Sequence, residues 1–276
     1  MYQDFLKRCV ALRTSIENLP SDFQVDHLVF HEGNITELQQ KYLTYKSKLA
    51  LEFIDVSEDF KWETPGASKY CSQTQLSESF STGYKSMCRF WLGGFIRYTS
   101  TYDFVVRLDE DCVLVDFDLH RILSDMVRNK IAYVTPLLYG ADDPEVTMGL
   151  NEFVIDFASK YGVVSEYDPN INPYTNLFIL DYKKIAESSL FVNFVQEVAV
   201  CGCIYINRWG DLPLWGVVLQ LVVGDENFKV RSDIKYIHSS IGDFVNKRGL
   251  RDSLYEFFFK MRQKLFRTVR RIIRVR

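Results

Sequence analysis

The chain has 276 residues, 47% hydrophobic and 15% aromatic, enough for a substantial core in one large domain or two small ones. A net charge of −3 gives no general case for nucleic-acid binding. That figure hides an asymmetry: residues 260–276 hold eight Lys or Arg and no acid, which leaves 25 basic against 36 acidic residues, a balance of −11, in residues 1–259.

Six cysteines are scattered (Cys9, Cys71, Cys88, Cys112, Cys201, Cys203), with no metal-type CxxC pair. Cys201 and Cys203 are too close in sequence for an ordinary disulfide, and Cys88 and Cys112 lie in apolar surroundings, so buried free thiols in a reducing compartment are expected. No signal-peptide pattern follows Met1, and Leu212–Val223, interrupted by Trp215 and Gln220, is too short to cross a membrane. These features predict a soluble, cytoplasmic protein.

Phe5, Cys9, Leu12, Ile16 and Leu19 recur at three and four, the period of an amphipathic helix. A strand is expected over Val25–Phe30, then an N-cap at Asn34, a helix to about Lys46 and a strand over Leu51–Val56. Polar residues 57–73 read as a surface loop. A long helix from about Ser77 to Tyr98, with Phe80, Tyr84, Met87, Cys88, Trp91 and Phe95 on its buried stripe, leads to a strand at Phe104–Leu108.

That strand runs into Asp109-Glu110-Asp111 and a second apolar run, Cys112–Val115. In an extended or turning backbone Asp109 and Asp111 face one side, with Glu110 opposed. Two such acids suit a divalent metal carrying a diphosphate, and equally a solvated acidic turn.

Further on, helices are expected near Asp118–Arg128, Glu145–Tyr161, Ser189–Val200 and from Pro213 to Val223, with strands at Ile131–Thr135, Thr175–Leu180 and Val230–His238. The alternation of strands and helices predicts an α/β domain with a mainly parallel central sheet flanked by helices, over residues 1–245. Residues 246–276 are set apart as a C-terminal amphipathic basic helix. Leu254, Phe258, Met261, Leu265, Val269 and Ile272 line one face, and such a helix fits an anionic membrane surface (through residues 255–276) or a dock on the acidic body.

The order of segments is informative. Tyr84-Lys-Ser-Met-Cys-Arg-Phe is followed by Arg107-Leu-Asp-Glu-Asp111, then by Arg208-Trp-Gly-Asp-Leu-Pro213 and His238. Over roughly residues 70–240 this resembles the fungal α-1,2-mannosyltransferases of glycosyltransferase family 15, which carry Tyr-x-x-Met-Cys-Arg-Phe, Arg-Val-Glu-Pro-Asp and Arg-Trp-Gly-Asp-Ala-Pro motifs and a later His. The resemblance implies a GT-A-like (Rossmann-like) fold and transfer of a sugar from a nucleotide-sugar donor, first of all GDP-mannose, to a hydroxyl of a glycan or glycolipid. It also implies Mn²⁺ or Mg²⁺.

Carried over by motif, Asp109, Asp111 and His238 become metal ligands, with Arg107 under the same site. Arg89 and Arg208 become candidates to balance diphosphate charge, or structural ion-pair residues. Tyr84 and Trp209 become donor or acceptor contacts, or packing residues. Asp211 reads as a helix N-cap, as a carboxylate facing the acceptor hydroxyl or the anomeric carbon, or as both.

Two departures stand out. Where the family has a Glu proposed as its catalytic carboxylate, this chain has Phe178, so mannose and retention of configuration do not carry over securely; Asp181 is a candidate substitute. The family also has a strand before its first helix and an N-terminal membrane anchor; here Met1 falls almost on that helix, and the basic tail is the expected membrane attachment. Use of a UDP-sugar, and a catalytically inactive glycan- or nucleotide-binding homologue, are the alternatives.

Overall fold

The computed structural model describes residues 23–61, 66, 68–109, 112–163 and 167–238. The expected helices at the two ends of the chain, together with Glu110 and Asp111, lie outside the described residues.

Eight strands and nine helices are described: β1 His27–His31, α1 Glu37–Ser47, β2 Leu51–Asp55, α2 Gln75–Ser79, α3 Thr82–Leu92, β3 Phe104–Leu108, β4 Cys112–Asp116, α4 Leu119–Asn129, β5 Tyr133–Thr135, α5 Leu150–Tyr161, β6 Leu177–Asp181, α6 Tyr182–Ala186, α7 Ser189–Cys201, α8 Cys203–Ile206, α9 Asp211–Val218, β7 Phe228–Val230 and β8 Lys235–His238. Local chemistry sets the boundaries. Thr36, rather than Asn34, caps α1, through a capping box with Gln39. Asp118 caps α4, whose buried Leu119, Ile122, Leu123 and Met126 recur at three and four.

The long helix expected from Ser77 to Tyr98 is three pieces. The chain is extended at Phe80 and Ser81, where Ser81 starts α3 by accepting from Tyr84 N, and Gly93-Gly94 turns α3 into a short 3-10 helix, Gly94–Tyr98. Residues 57–73 are not wholly surface: Asp59 is buried in a 3-10 turn and paired with Arg97 at 2.6 Å.

The central sheet has the order β3-β6-β5-β7, with β1-β2 and β4-β8 as separate pairs. Pairing is mixed. β1·β2 and β5·β7 are parallel, as the alternation of elements predicts, but β6 runs antiparallel to both β3 and β5, and β4·β8 is antiparallel. The reversed strand β6 breaks the parallel pattern at the centre of the sheet.

Both faces of β6 are covered. Side chains alternate along a strand, so Phe178 and Leu180 enter one apolar core with α3, α5, α7 and α9, while Leu177 and Ile179 enter a second with α4, Cys112 and Leu114. Each of these four β6 residues is fully buried. β3 alternates likewise: Phe104, Val106 and Leu108 face the second core and Val105 packs on the first. Arg107 therefore points into the first core, opposite Phe178 in register.

Candidate active site

Arg107 is 2% exposed, a position that a guanidinium tolerates only when paired. Two carboxylates pair it. Asp109, two residues on and hence on the same face, accepts from Nε at 2.9 Å and Nη2 at 3.3 Å, and Asp211, the first residue of α9, accepts from Nη1 at 2.6 Å. The guanidinium also stacks on Trp91, 4.3 Å from the ring centroid. Burial opposes the charged guanidinium, but Asp109 and Asp211 outweigh it and hold its pKa above the ordinary value.

Asp109 leaves the sheet edge. Its N–H donates to the Asn176 carbonyl at 3.0 Å, which extends the β3·β6 ladder by one step, and its own carbonyl accepts from Cys112 N at 3.0 Å, which closes the turn into β4. Cys112 is paired in register with His238 of β8, so the late histidine arrives beside the acidic turn. His238 is buried, its Nδ1 2.9 Å from the Tyr174 hydroxyl, and Tyr174 in turn stacks on Tyr139. The structure thus brings Asp109, His238, Arg107 and Asp211 to one end of the sheet.

Asp211 is not an N-cap, as one reading of the sequence had it. Gly210 holds that position and Asp211 is the first helical residue, where a negative charge is favoured by the helix dipole. Its side chain is 8% exposed. The Cys88 thiol, which hydrogen-bonds the Asp211 backbone, is pushed up to about 12 by burial and stays protonated at neutral pH.

A second polar cluster adjoins the first. Arg208 reaches Asp142 Oδ2 at 2.6 Å and the Tyr84 hydroxyl at 2.8 Å, and lies over the Phe80 and Tyr84 rings. Its backbone is left-handed, with φ 69°, rare for a non-glycine residue. Burial pushes the Tyr84 hydroxyl well above the ordinary tyrosine range, so it is a neutral hydrogen-bonding group. Asp142 carried no sequence signal for this role.

Three expected site residues are used elsewhere. Trp209 is fully buried, donates Nε1 to the Met148 carbonyl at 3.0 Å and packs on Phe153, so it belongs to the core. Arg89 donates to the Asp59 carbonyl and lies over Tyr205, a structural contact. Asp181 pairs with Phe104, at the far end of β3 from Asp109, where it caps α6 and bonds Lys184 at 2.9 Å. Five strand residues at about 3.3 Å each separate the two acids, too far for Asp181 to replace the missing Glu. Phe178 itself is fully buried against Tyr133 and Trp215.

The residues present suit a hard divalent cation. Arg107 neutralises one of the two carboxylates it joins, so Asp109 and Asp211 keep one net negative charge, to which Asp111 would add another. The imidazole is oriented through Nδ1, so a metal would be met by Nε2. Among the described residues no three ligand-type side chains converge on one point; Asp111, the third expected ligand, is not among them.

No family model matches the chain. It is 22% identical over 197 residues to a probable mannosyltransferase, MNT3, of Candida albicans, covering 64% of this chain and 51% of that protein. It is 23% identical over 189 residues to a probable mannosyltransferase, KTR2, of Saccharomyces cerevisiae, covering 59% of this chain and 44% of that one. The chain thus spans about half the length of these relatives. Among solved structures, the S. cerevisiae mannosyltransferase Ktr4p superposes with a TM-score of 0.69 at 18% identity, over 87% of this chain and 68% of that one. Core-mannan synthase A of Aspergillus fumigatus, in its Mn/GDP form, superposes with 0.69 at 18%, over 86% and 71%. The chain has the GT-A fold and is similar, at 22–23% identity, to probable fungal mannosyltransferases.

Proposed function

We propose that the chain is a metal-dependent glycosyltransferase that moves a sugar, mannose from GDP-mannose in the first instance, to a hydroxyl of a glycan or glycolipid. The observation that carries this reading is the buried Arg107 fork between Asp109 and Asp211. It ties the acidic turn at the sheet edge to the start of α9 and sets both carboxylates at one place. The probable mannosyltransferases among its relatives support mannose, and the Mn/GDP form of the Aspergillus protein supports the donor nucleotide and the metal.

In this reading Asp109, Asp111 and His238 hold Mn²⁺ or Mg²⁺, with Arg107 fixing the Asp109 carboxylate and Tyr174 the His238 ring. When bound, the metal supplies Lewis-acid stabilisation of the charge that appears on the leaving diphosphate. Asp211, paired with Arg107, faces the acceptor hydroxyl or the anomeric carbon, where positive charge develops in glycosyl transfer. Tyr84 and Arg208, braced by Asp142, offer hydrogen bonds and positive charge to donor phosphate or acceptor.

A transfer assay with GDP- and UDP-sugars, with and without Mn²⁺, tests the proposal. Turnover of GDP-mannose and its loss by more than about 100-fold in Asp109→Asn, with the melting curve retained, are expected. Survival of every donor and no binding of GDP or UDP would sink it. A catalytically inactive, nucleotide-binding homologue is the second reading, favoured by Phe178 in place of the family's Glu; GDP binding without turnover would select it.

Among the described residues no helix is long and apolar enough to cross a membrane. Attachment of the catalytic domain, residues 1–245, to a cytoplasmic membrane face through the basic pattern of residues 255–276 belongs to the same proposal. Removal of those residues is expected to abolish binding to anionic vesicles; unchanged binding would exclude the tail as the attachment.

A further inference from the structure

The loop at 68–72 meets the chain just ahead of the Arg208-Trp-Gly-Asp211 segment. Ser72 N donates to Asn207 Oδ1 at 2.8 Å, and Asn207 Nδ2 donates to the carbonyls of Tyr70 at 3.1 Å and Met148 at 2.7 Å. The approach is tight: a Cβ on Gly149, at φ 75°, would lie 2.2 Å from the Tyr70 carbonyl oxygen. Within this seam two thiols from distant parts of the chain face each other. Cys71 Sγ and Cys203 Sγ are 2.8 Å apart across 132 residues, with Ser68 Oγ 3.5 Å from each sulfur.

We infer that Cys71 and Cys203 form a reversible disulfide that clamps the loop at 68–72 to the segment carrying Arg208 and Asp211. The sulfurs need a further approach of about 0.8 Å to reach the ~2.05 Å of a bond. Cys71 is half-buried, which leaves the residue partly open to an oxidant from solvent. The co-reactant is a low-molecular-weight disulfide such as oxidised glutathione. The Cys71 thiolate attacks one glutathione sulfur and releases glutathione thiolate; the Cys203 thiolate then attacks Cys71 Sγ in the mixed disulfide and releases the second. Two thiols lose two protons and two electrons, and one glutathione disulfide becomes two glutathiones.

Cys201 is the competitor in this cluster. Its Sγ accepts from Cys203 N at 3.5 Å, and its carbonyl accepts from Cys71 Sγ at 3.1 Å. A Cys201–Cys203 bridge would be a strained C-x-C pair, and geometry selects Cys203 over Cys201 as the partner of Cys71: its Sγ lies 2.8 Å from Cys71 Sγ, whereas Cys71 Sγ meets Cys201 at its carbonyl. Burial pushes the Cys71 thiol up, and a Cys201 hydrogen bond with burial pushes Cys203 up, so formation is slow at neutral pH and quickens as pH rises.

The test uses the full chain at 25 °C without denaturant, incubated with oxidised glutathione or with dithiothreitol, alkylated and digested without reduction. A linked Cys71–Cys203 peptide is expected by mass spectrometry, with a melting temperature about 5–10 °C above that of the reduced protein. Cys201→Ser is expected to keep both effects and Cys71→Ser to lose both. Absence of the linked peptide in the wild type, a link from Cys71 to Cys201 instead, or a bridged protein that melts with the reduced one would overturn the inference; the wild-type digest is decisive even where a variant fails to fold.

Discussion

Arg107 Nη1 lies 2.6 Å from Asp211 Oδ2, joining the penultimate residue of β3 to the first residue of a helix 104 positions later. The same guanidinium holds Asp109, so its removal leaves two carboxylates without their cation. Arg107→Ala is therefore expected to destabilise the fold by about 3–5 kcal/mol. Arg107→Lys, which keeps the charge but not the fork, is expected to fall between the two. Urea unfolding midpoints measure both; an unchanged Arg107→Ala midpoint would refute the bridging role.

Tyr174 acts on His238 through Nδ1 at 2.9 Å. Tyr174→Phe keeps the ring and its stacking on Tyr139 but removes that hydrogen bond. If His238 is a metal ligand, Mn²⁺ affinity is expected to fall by about 10-fold, read by titration calorimetry, with little change in melting temperature. Equal Mn²⁺ affinity in the two proteins would take His238 and Tyr174 out of the metal site.

Trp209 separates packing from recognition. As a core residue bonded to Met148, it predicts that Trp209→Phe loses about 1–3 kcal/mol of stability while the KM for the donor stays within about twofold of wild type. A large rise in KM at unchanged stability would return Trp209 to the donor site.

Acid sensitivity is expected away from the active site. The Arg231 fork lowers the Asp233 pKa from 3.8 to about 2. A folded pKa below the unfolded one gives stability that is present above about pH 4 and lost as pH falls towards about 2. Asp233 is partly exposed, so after screening the contribution is about 1 kcal/mol. Asp233→Asn is expected to lower stability by that amount at pH 7 and to narrow the difference from wild type at pH 2.5, measured by urea midpoints; a difference that does not change with pH would exclude the linkage.

Strand β3 and the helices α4 and α7 were legible in the sequence to within a residue or so, because each has a clean period and a clear cap or stop. Arg107 was placed under the site only by the motif resemblance; its fork on Asp109, two residues on along the strand, comes from the structure. The reversal of β6 was not legible, since an all-buried strand has no polar face to reveal its direction. Trp209 and Asp181 misled for different reasons: a motif gives residue types but not which side chain turns into the core, and the register of β3 on β6 sets Asp181 at the far end from Asp109. Asp142 and Tyr174 were missed because their partners, Arg208 and His238, are brought to them only by tertiary contact.

The left-handed backbone of Arg208 sets a non-glycine residue against its own sterics, at a cost of about 1–2 kcal/mol. Glycine would relieve that strain, yet would surrender the contacts to Asp142 and Tyr84. The strain is thus outweighed by the half-buried pair that holds it, so a glycine at 208 is expected to cost stability and, in the proposed reading, activity as well.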